Sequence, residues 1–211
     1  MVFIDKLFLG VSGILSLILI WVFITRYEKS KERFNFYYIL GFALILSCSI
    51  LIIIYDWLIL DKTLITIFVC FIPLCLSLGL VNQYFKNLNI AQIIFSLGGS
   101  AIIILASFLD VLWLQYAVYA IVIIAFLLVL ALPIIASVQK RTEKGFWWVG
   151  VGGIMSLLLL GLLYLYISGT QIFFLHELVI LAILAPVYSL TVIALFWGFM
   201  QDEEETEEIS E

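Results

Sequence analysis

Acid–base or metal chemistry in this chain would have to begin at His176, the one histidine, which stands beside Glu177. Three further carboxylates, Asp56, Asp61 and Asp110, occupy the short polar gaps between hydrophobic runs. A catalytic base needs a nucleophile within reach, and no local motif around His176 supplies one. The chain has no paired-histidine metal motif, no glycine-rich phosphate loop following a strand and no CxxC. Haem held between two histidines is excluded by the count. Neither an enzyme nor a bound cofactor or metal centre is expected. One histidine with scattered carboxylates offers at most a weak site for a hard cation, and ordinary interfacial polarity accounts for the same residues. Asp56, Asp110, His176 and Glu177 are therefore the candidate ligand-binding rim.

The remaining polar side chains are small and periodic. In the fourth hydrophobic run Gln92, Ser96, Gly99, Ser100, Ser107 and Asp110 recur every three or four residues and share one helix face. Thr63, Thr66, Cys70, Pro73 and Ser77 do so in the third. Two readings stay open for these stripes. They allow close packing of helices in lipid, where small residues replace the hydrophobic drive, or they line a cavity. Under the second, Thr66, Cys70, Ser77, Ser96, Ser100 and Ser107 form its wall. In the sixth run Gly152 and Ser156 make a small-xxx-small pair. Cys48, Cys70 and Cys75 are odd in number and lie in apolar runs, so they predict buried free thiols and no disulfide framework.

The elements that carry these residues are dictated by composition. Of 211 residues, 65% are hydrophobic and 12% charged. A soluble domain has roughly 45–50% and about 25%. Runs of about 20 apolar residues are long enough, as helices, to cross the hydrocarbon layer. Seven are expected, near 7–25, 34–55, 63–83, 88–108, 112–137, 146–167 and 178–200. Between residues 88 and 139 the single charge is Asp110. One helix of that length would be more than twice as long as the hydrocarbon layer is thick, so the chain must turn back there. All six tryptophans fall near the ends of these runs, at headgroup level. The expected fold is an all-α integral membrane protein. Residues 1–200 form one seven-helix bundle, and 201–211 form an acidic, disordered cytoplasmic tail with seven carboxylates. Met1 to Lys6 has no basic n-region, so the first run is read as an uncleaved span.

Orientation follows from the loops. With the N-terminus outside, Arg26, Lys29, Lys31, Arg33, Lys86, Lys140, Arg141 and Lys144, eight of the ten basic residues, fall on one side. Only Lys6 and Lys62 face the other. Short loops with this bias place the basic side in the cytoplasm, within a cell membrane. Lys29, Arg33, Lys140 and Arg141 are the candidate contacts for a cytoplasmic protein partner. Besides the lipid bilayer, that partner or a homo-oligomer is expected. Nucleic acid is not, because the basic residues are too few.

Pro73, Pro133 and Pro186 interrupt spans and are expected to kink them, with Tyr188, Ser189 and Thr191 placed to satisfy backbone freed by Pro186. No ionisable residue falls in the middle third of any span, which argues against a pump or proton-coupled carrier. A shift of 111 residues aligns Lys29 with Lys140, Glu32 with Glu143, Arg33 with Lys144, Gly41 with Gly152 and Tyr55 with Tyr166. Duplication of a three-helix unit about a linker helix would produce this, and so would the shared demands of any basic loop entering a span.

In helix count and orientation the chain resembles microbial rhodopsins and the seven-helix sensor modules attached to prokaryotic histidine kinases. The likeness is one of topology and identifies no family. Leu178 to Met200 lacks the lysine on which rhodopsins carry retinal, and an acidic tail stands where the kinase-linked modules continue into an output domain. Small sugar carriers of three-plus-one-plus-three plan share the helix number, without their Pro-Gln signature here. The resemblance implies a sensor or receptor-like module signalling to a cytoplasmic partner. The alternatives are a small uncoupled transporter or channel, or a structural subunit of a membrane complex.

Overall fold

The computed structural model describes residues 3–55, 62–84, 89–109, 112–140, 144–168 and 177–208. Among them the chain is all-α, with seven helices and no strand. These are α1 (Phe3–Ser30), α2 (Arg33–Tyr55), α3 (Lys62–Tyr84), α4 (Asn89–Phe108), α5 (Leu112–Lys140), α6 (Lys144–Ser168) and α7 (Glu177–Glu208). Each helix falls on one hydrophobic run, but two extend well past it. α1 continues five residues beyond the expected end, to Ser30. α7 carries its helix through Gln201 to Glu208, where composition pointed to a disordered tail. Glutamate is a good helix former, and lengthening an existing helix avoids the cost of nucleation.

Three segments are long and apolar enough to cross a membrane: Asp5–Ser30, Arg33–Tyr55 and Ile183–Met200. Shorter apolar stretches lie in the other helices, at Cys70–Gln83, Ile94–Ala106, Tyr116–Val129 and Trp148–Leu159. Helix faces are consistent with a lipid environment. On α1 the covered stripe holds Leu9, Ser12, Ser16, Leu19 and Phe23, whereas the bare one holds Leu7, Ile14 and Trp21, the last two 62% and 73% exposed. The small polar Ser12 and Ser16 point inward, while the outward face is large and apolar. A helix surrounded by water carries polar side chains on its outer face.

Six helices close a ring in which each packs against the next: α1, α2, α3, α5, α6, α7 and back to α1. α4 lies outside this ring, against α3 and α5. The order matches a three-plus-one-plus-three plan. α1–α2–α3 and α5–α6–α7 repeat the same succession of neighbours, and the α3–α5 and α7–α1 junctions correspond. The two glycines that the 111-residue shift aligns have the same task. A Cβ on Gly41 would stand 3.1 Å from Leu76 of α3, and one on Gly152 would stand 2.8 Å from Leu195 of α7. In each half, the absence of a side chain on the second helix admits a leucine from the third.

Two apolar clusters fill the described interior. The larger joins α1, α2, α3, α5, α6 and α7, with Phe23, Tyr38, Phe42, Ile52, Leu184 and Leu195 among its fully covered members. The smaller lies between α3, α4 and α5 and contains Cys70, Leu74, Leu78, Ile103, Val118 and Val122.

Candidate functional site

α7 is tied to its neighbours by two successive hydroxyls just after Pro186. Tyr188 donates from its OH to the carbonyl of Ile45 in α2 at 2.8 Å. Ser49, one turn along α2, bonds the same carbonyl at 2.9 Å, and its Oγ lies 3.0 Å from the Tyr188 oxygen. Ser189 repeats the arrangement on α1: it donates to the Phe8 carbonyl at 2.8 Å. Ser12 bonds that carbonyl at 3.0 Å and meets Ser189 Oγ at 2.9 Å. Each triangle has one helix carbonyl, a serine four residues later, and a hydroxyl from α7. Buried carbonyls and hydroxyls must find partners, and here each carbonyl takes one from its own helix and one from α7. Ser12, Ser49 and Ser189 are fully buried and Tyr188 is nearly so. The hydroxyls expected to repair α7 around Pro186 are thus used elsewhere. Only Thr191 bonds within its helix, to the carbonyl of Val187.

Toward the basic end the same helices meet through aromatic rings. Phe23 of α1, Tyr38 and Phe42 of α2 and Phe199 of α7 contact one another with centroids 4.8–5.9 Å apart. Tilted and edge-on pairs predominate, as the ring quadrupoles favour. Gly79 of α3 makes room for Tyr38, since a Cβ there would fall 2.5 Å from the ring. The Tyr38 OH is anchored on Gln83 Oε1 at 2.9 Å. Arg26 closes the cluster with its guanidinium 5.4 Å from the Phe23 centroid and one N–H directed to the Phe199 carbonyl at 3.4 Å.

The α1–α2 connection above this cluster is two residues long and tightly bonded. Lys31 adopts φ 55° and donates its N–H to the Tyr27 carbonyl at 2.8 Å, which caps α1. Ser30 donates to the Arg26 carbonyl and accepts from the Glu32 N–H and from Asn35 Nδ2. Because the serine proton is committed to Arg26, the Asn35 amide has one orientation. Its Oδ1 is then a buried oxygen with no hydrogen-bond partner among the described residues.

The sequence-predicted residues distribute as follows. Asp56, Asp110, His176 and Arg141 lie outside the described residues. Thr66, Ser107, Lys140 and Glu177 belong to α3, α4, α5 and α7, and their side chains lie outside the described set. Lys29 and Arg33 are exposed on either side of the α1–α2 turn. Cys70 and Ser77 are buried on α3, Cys70 within the smaller apolar cluster and Ser77 bonded to the Leu74 carbonyl of its own helix. Ser96 and Ser100 are half-buried on α4. Between them Gly99 faces both neighbours, since a Cβ there would meet Leu74 of α3 and Ile121 of α5 at 3.6 and 3.7 Å. Among the described residues no group of three His, Cys, Asp or Glu side chains is placed to hold a metal.

Sequence reasoning missed the interhelical bonds of Tyr188 and Ser189, the aromatic cluster and the Arg26 contact. Tyr188 and Ser189 had drawn notice for their place after Pro186, but partners 139 to 181 residues away leave no local signal. The aromatic cluster has none either, because Phe23, Phe42 and Phe199 resemble any other phenylalanine in an apolar run. No protein-family model matches the chain, and no curated protein or solved structure is significantly similar to it.

Proposed function

We propose that this chain is a seven-helix protein of the cell membrane, with its N-terminus outside and its basic loops in the cytoplasm, acting as a sensor or receptor-like module. In this reading residues 1–200 form one bundle. A signal received at the outer ends of the helices is passed to a cytoplasmic protein through the α1–α2 turn and the end of α7. The observation that carries it is the tie between α7, α1 and α2: paired hydroxyl triangles at one level and an aromatic cluster at another. A displacement of α7 at the first level must be followed at the second, because both contact the same two helices. Packed interiors shift between discrete arrangements and do not deform continuously.

The α3–α4–α5 interface favours this reading over a carrier using the stripes of α3 and α4. Cys70, Leu74, Leu78, Ile103, Val118 and Val122 form an apolar cluster there, and the Ser77 hydroxyl of α3 is turned back onto its own helix. Tags at the two chain ends test the topology, and opposite compartments are expected. Crosslinking through the end of α7 in cells, paired with solute flux in proteoliposomes, tests the role. A stable cytoplasmic partner without flux is the expected result. Flux by the purified chain alone would overturn it.

A further inference from the structure

We propose that the α1–α2 turn binds the phosphate headgroup of an anionic phospholipid, a proposal that rests on the membrane-spanning reading above. Lys29, Lys31 and Arg33 are all exposed within five residues. Including Arg26, the segment has four cations against two carboxylates, the exposed Glu28 and the half-buried Glu32. The turn is held by the Lys31–Tyr27 backbone bond and by three bonds centred on Ser30. Its cations therefore lose little backbone freedom when an anion binds.

Lys31 supports the assignment from the backbone. Its φ of 55° is the left-handed conformation in which glycine is the usual helix-capping residue. A side chain with a Cβ is strained there, and the Lys31 ammonium, 5.5 Å from the Tyr27 ring, keeps its exposure, so the strained position puts a charge at the surface of the turn.

The neighbouring surface decides for lipid over a soluble phosphate. Arg33, Phe36 and Leu40 lie at i, i+3 and i+7 on α2, all exposed, so one helix face runs from a cation onto bare apolar side chains. Phe36 is about 4.5 Å along the axis from Arg33. Trp21, 73% exposed on α1, provides an interfacial aromatic in the same half of the bundle. A phospholipid fits this surface with its acyl chain along Leu40 and Phe36 and its phosphate between Arg33 and Lys31.

The test uses the full chain in nanodiscs of phosphatidylcholine with a minor fraction of phosphatidylglycerol, and native mass spectrometry counts the lipids retained. Phosphatidylglycerol should be enriched on the wild-type chain. The triple variant Lys29→Gln, Lys31→Gln, Arg33→Gln should lose that enrichment by roughly tenfold. Lys6→Gln, in the first helix far from the turn, should not change it. Lys31→Gly removes one cation while relieving the backbone, so the fold is retained and a partial loss is expected. Equal enrichment on the wild-type chain and the triple variant would overturn the proposal. So would displacement of the lipid by glycerol phosphate at equal concentration, which would make the site one for soluble phosphate. Alkaline carbonate extraction of cell membranes separates the two readings. A chain released by carbonate refutes membrane insertion itself, whereas a retained chain without lipid preference refutes only this site.

Discussion

Replacing Tyr188 with phenylalanine removes one oxygen from the bundle and nothing else, so it isolates the α7–α2 tie. The ring stays in place, and the space vacated is smaller than a methyl group. What is lost is the 2.8 Å bond to the Ile45 carbonyl and the 3.0 Å contact with Ser49. The carbonyl is not orphaned, because Ser49 still bonds it at 2.9 Å. The cost should therefore lie near that of an ordinary interhelical hydrogen bond in a membrane protein, about 0.6 and at most about 1.7 kcal/mol. It should not approach the larger penalty of an unpaired buried group. A loss of about 1 kcal/mol lowers the folded-to-unfolded ratio about fivefold. Reversible unfolding in mixed micelles, followed by circular dichroism, measures it. A double-mutant cycle with Ser49→Ala should return a coupling of roughly 0.5 kcal/mol, because the two hydroxyls share one acceptor. No measurable change, or no coupling to Ser49, would refute the tie. A loss above about 3 kcal/mol would show that the ring rather than the hydroxyl had been disturbed.

Gly79→Ala places a methyl group 2.5 Å from the Tyr38 ring, which Gln83 holds in position, and should destabilise the bundle by about 1–3 kcal/mol in the same assay. Gly98→Ala meets no atom of the described residues within 4 Å and should be neutral or gain up to about 1 kcal/mol from helix propensity. Lys31→Gly relieves a left-handed residue worth about 1–2 kcal/mol but gives up the Lys31 ammonium 5.5 Å from the Tyr27 ring, so the midpoint of unfolding should rise modestly. Cys48, Cys70 and Cys75 are 4–6% exposed, so a maleimide should label them only as the bundle unfolds. Fast labelling of the native chain at Cys70 would show that the α3–α4–α5 interface opens.

The seven helices were legible along the chain because each falls on an apolar run bounded by polar or charged residues. Among the described residues, however, only Asp5–Ser30, Arg33–Tyr55 and Ile183–Met200 are long and apolar enough to cross a membrane. The role of the glycines was partly legible: Gly41 and Gly152 stood out by their alignment, but nothing local told which leucine each admits. The acidic end of α7, read from composition as a tail, continues the helix to Glu208; its composition suits both a solvated coil and a helix. Attachment to the preceding turns favours the helix. Cys70 and Ser77 stood on the predicted inward stripe of α3, and both are buried. The stripe by itself did not distinguish a polar lining from close packing. Cys70 lies among Leu74, Leu78, Ile103, Val118 and Val122, drawn from three helices.

Composition, run length and the placement of lysine and arginine determine that this chain is helical and suited to lipid, because those properties depend on each residue's own transfer energy. The ring order with α4 outside, the meeting of Tyr188 with Ser49 and of Ser189 with Ser12, and the closure of Phe23, Tyr38, Phe42 and Phe199 were decided only by the tertiary structure. In helices that are apolar on every face, hydrophobic periodicity does not tell which face will be covered. Small residues, hydroxyls and ring shapes make that choice when the helices meet.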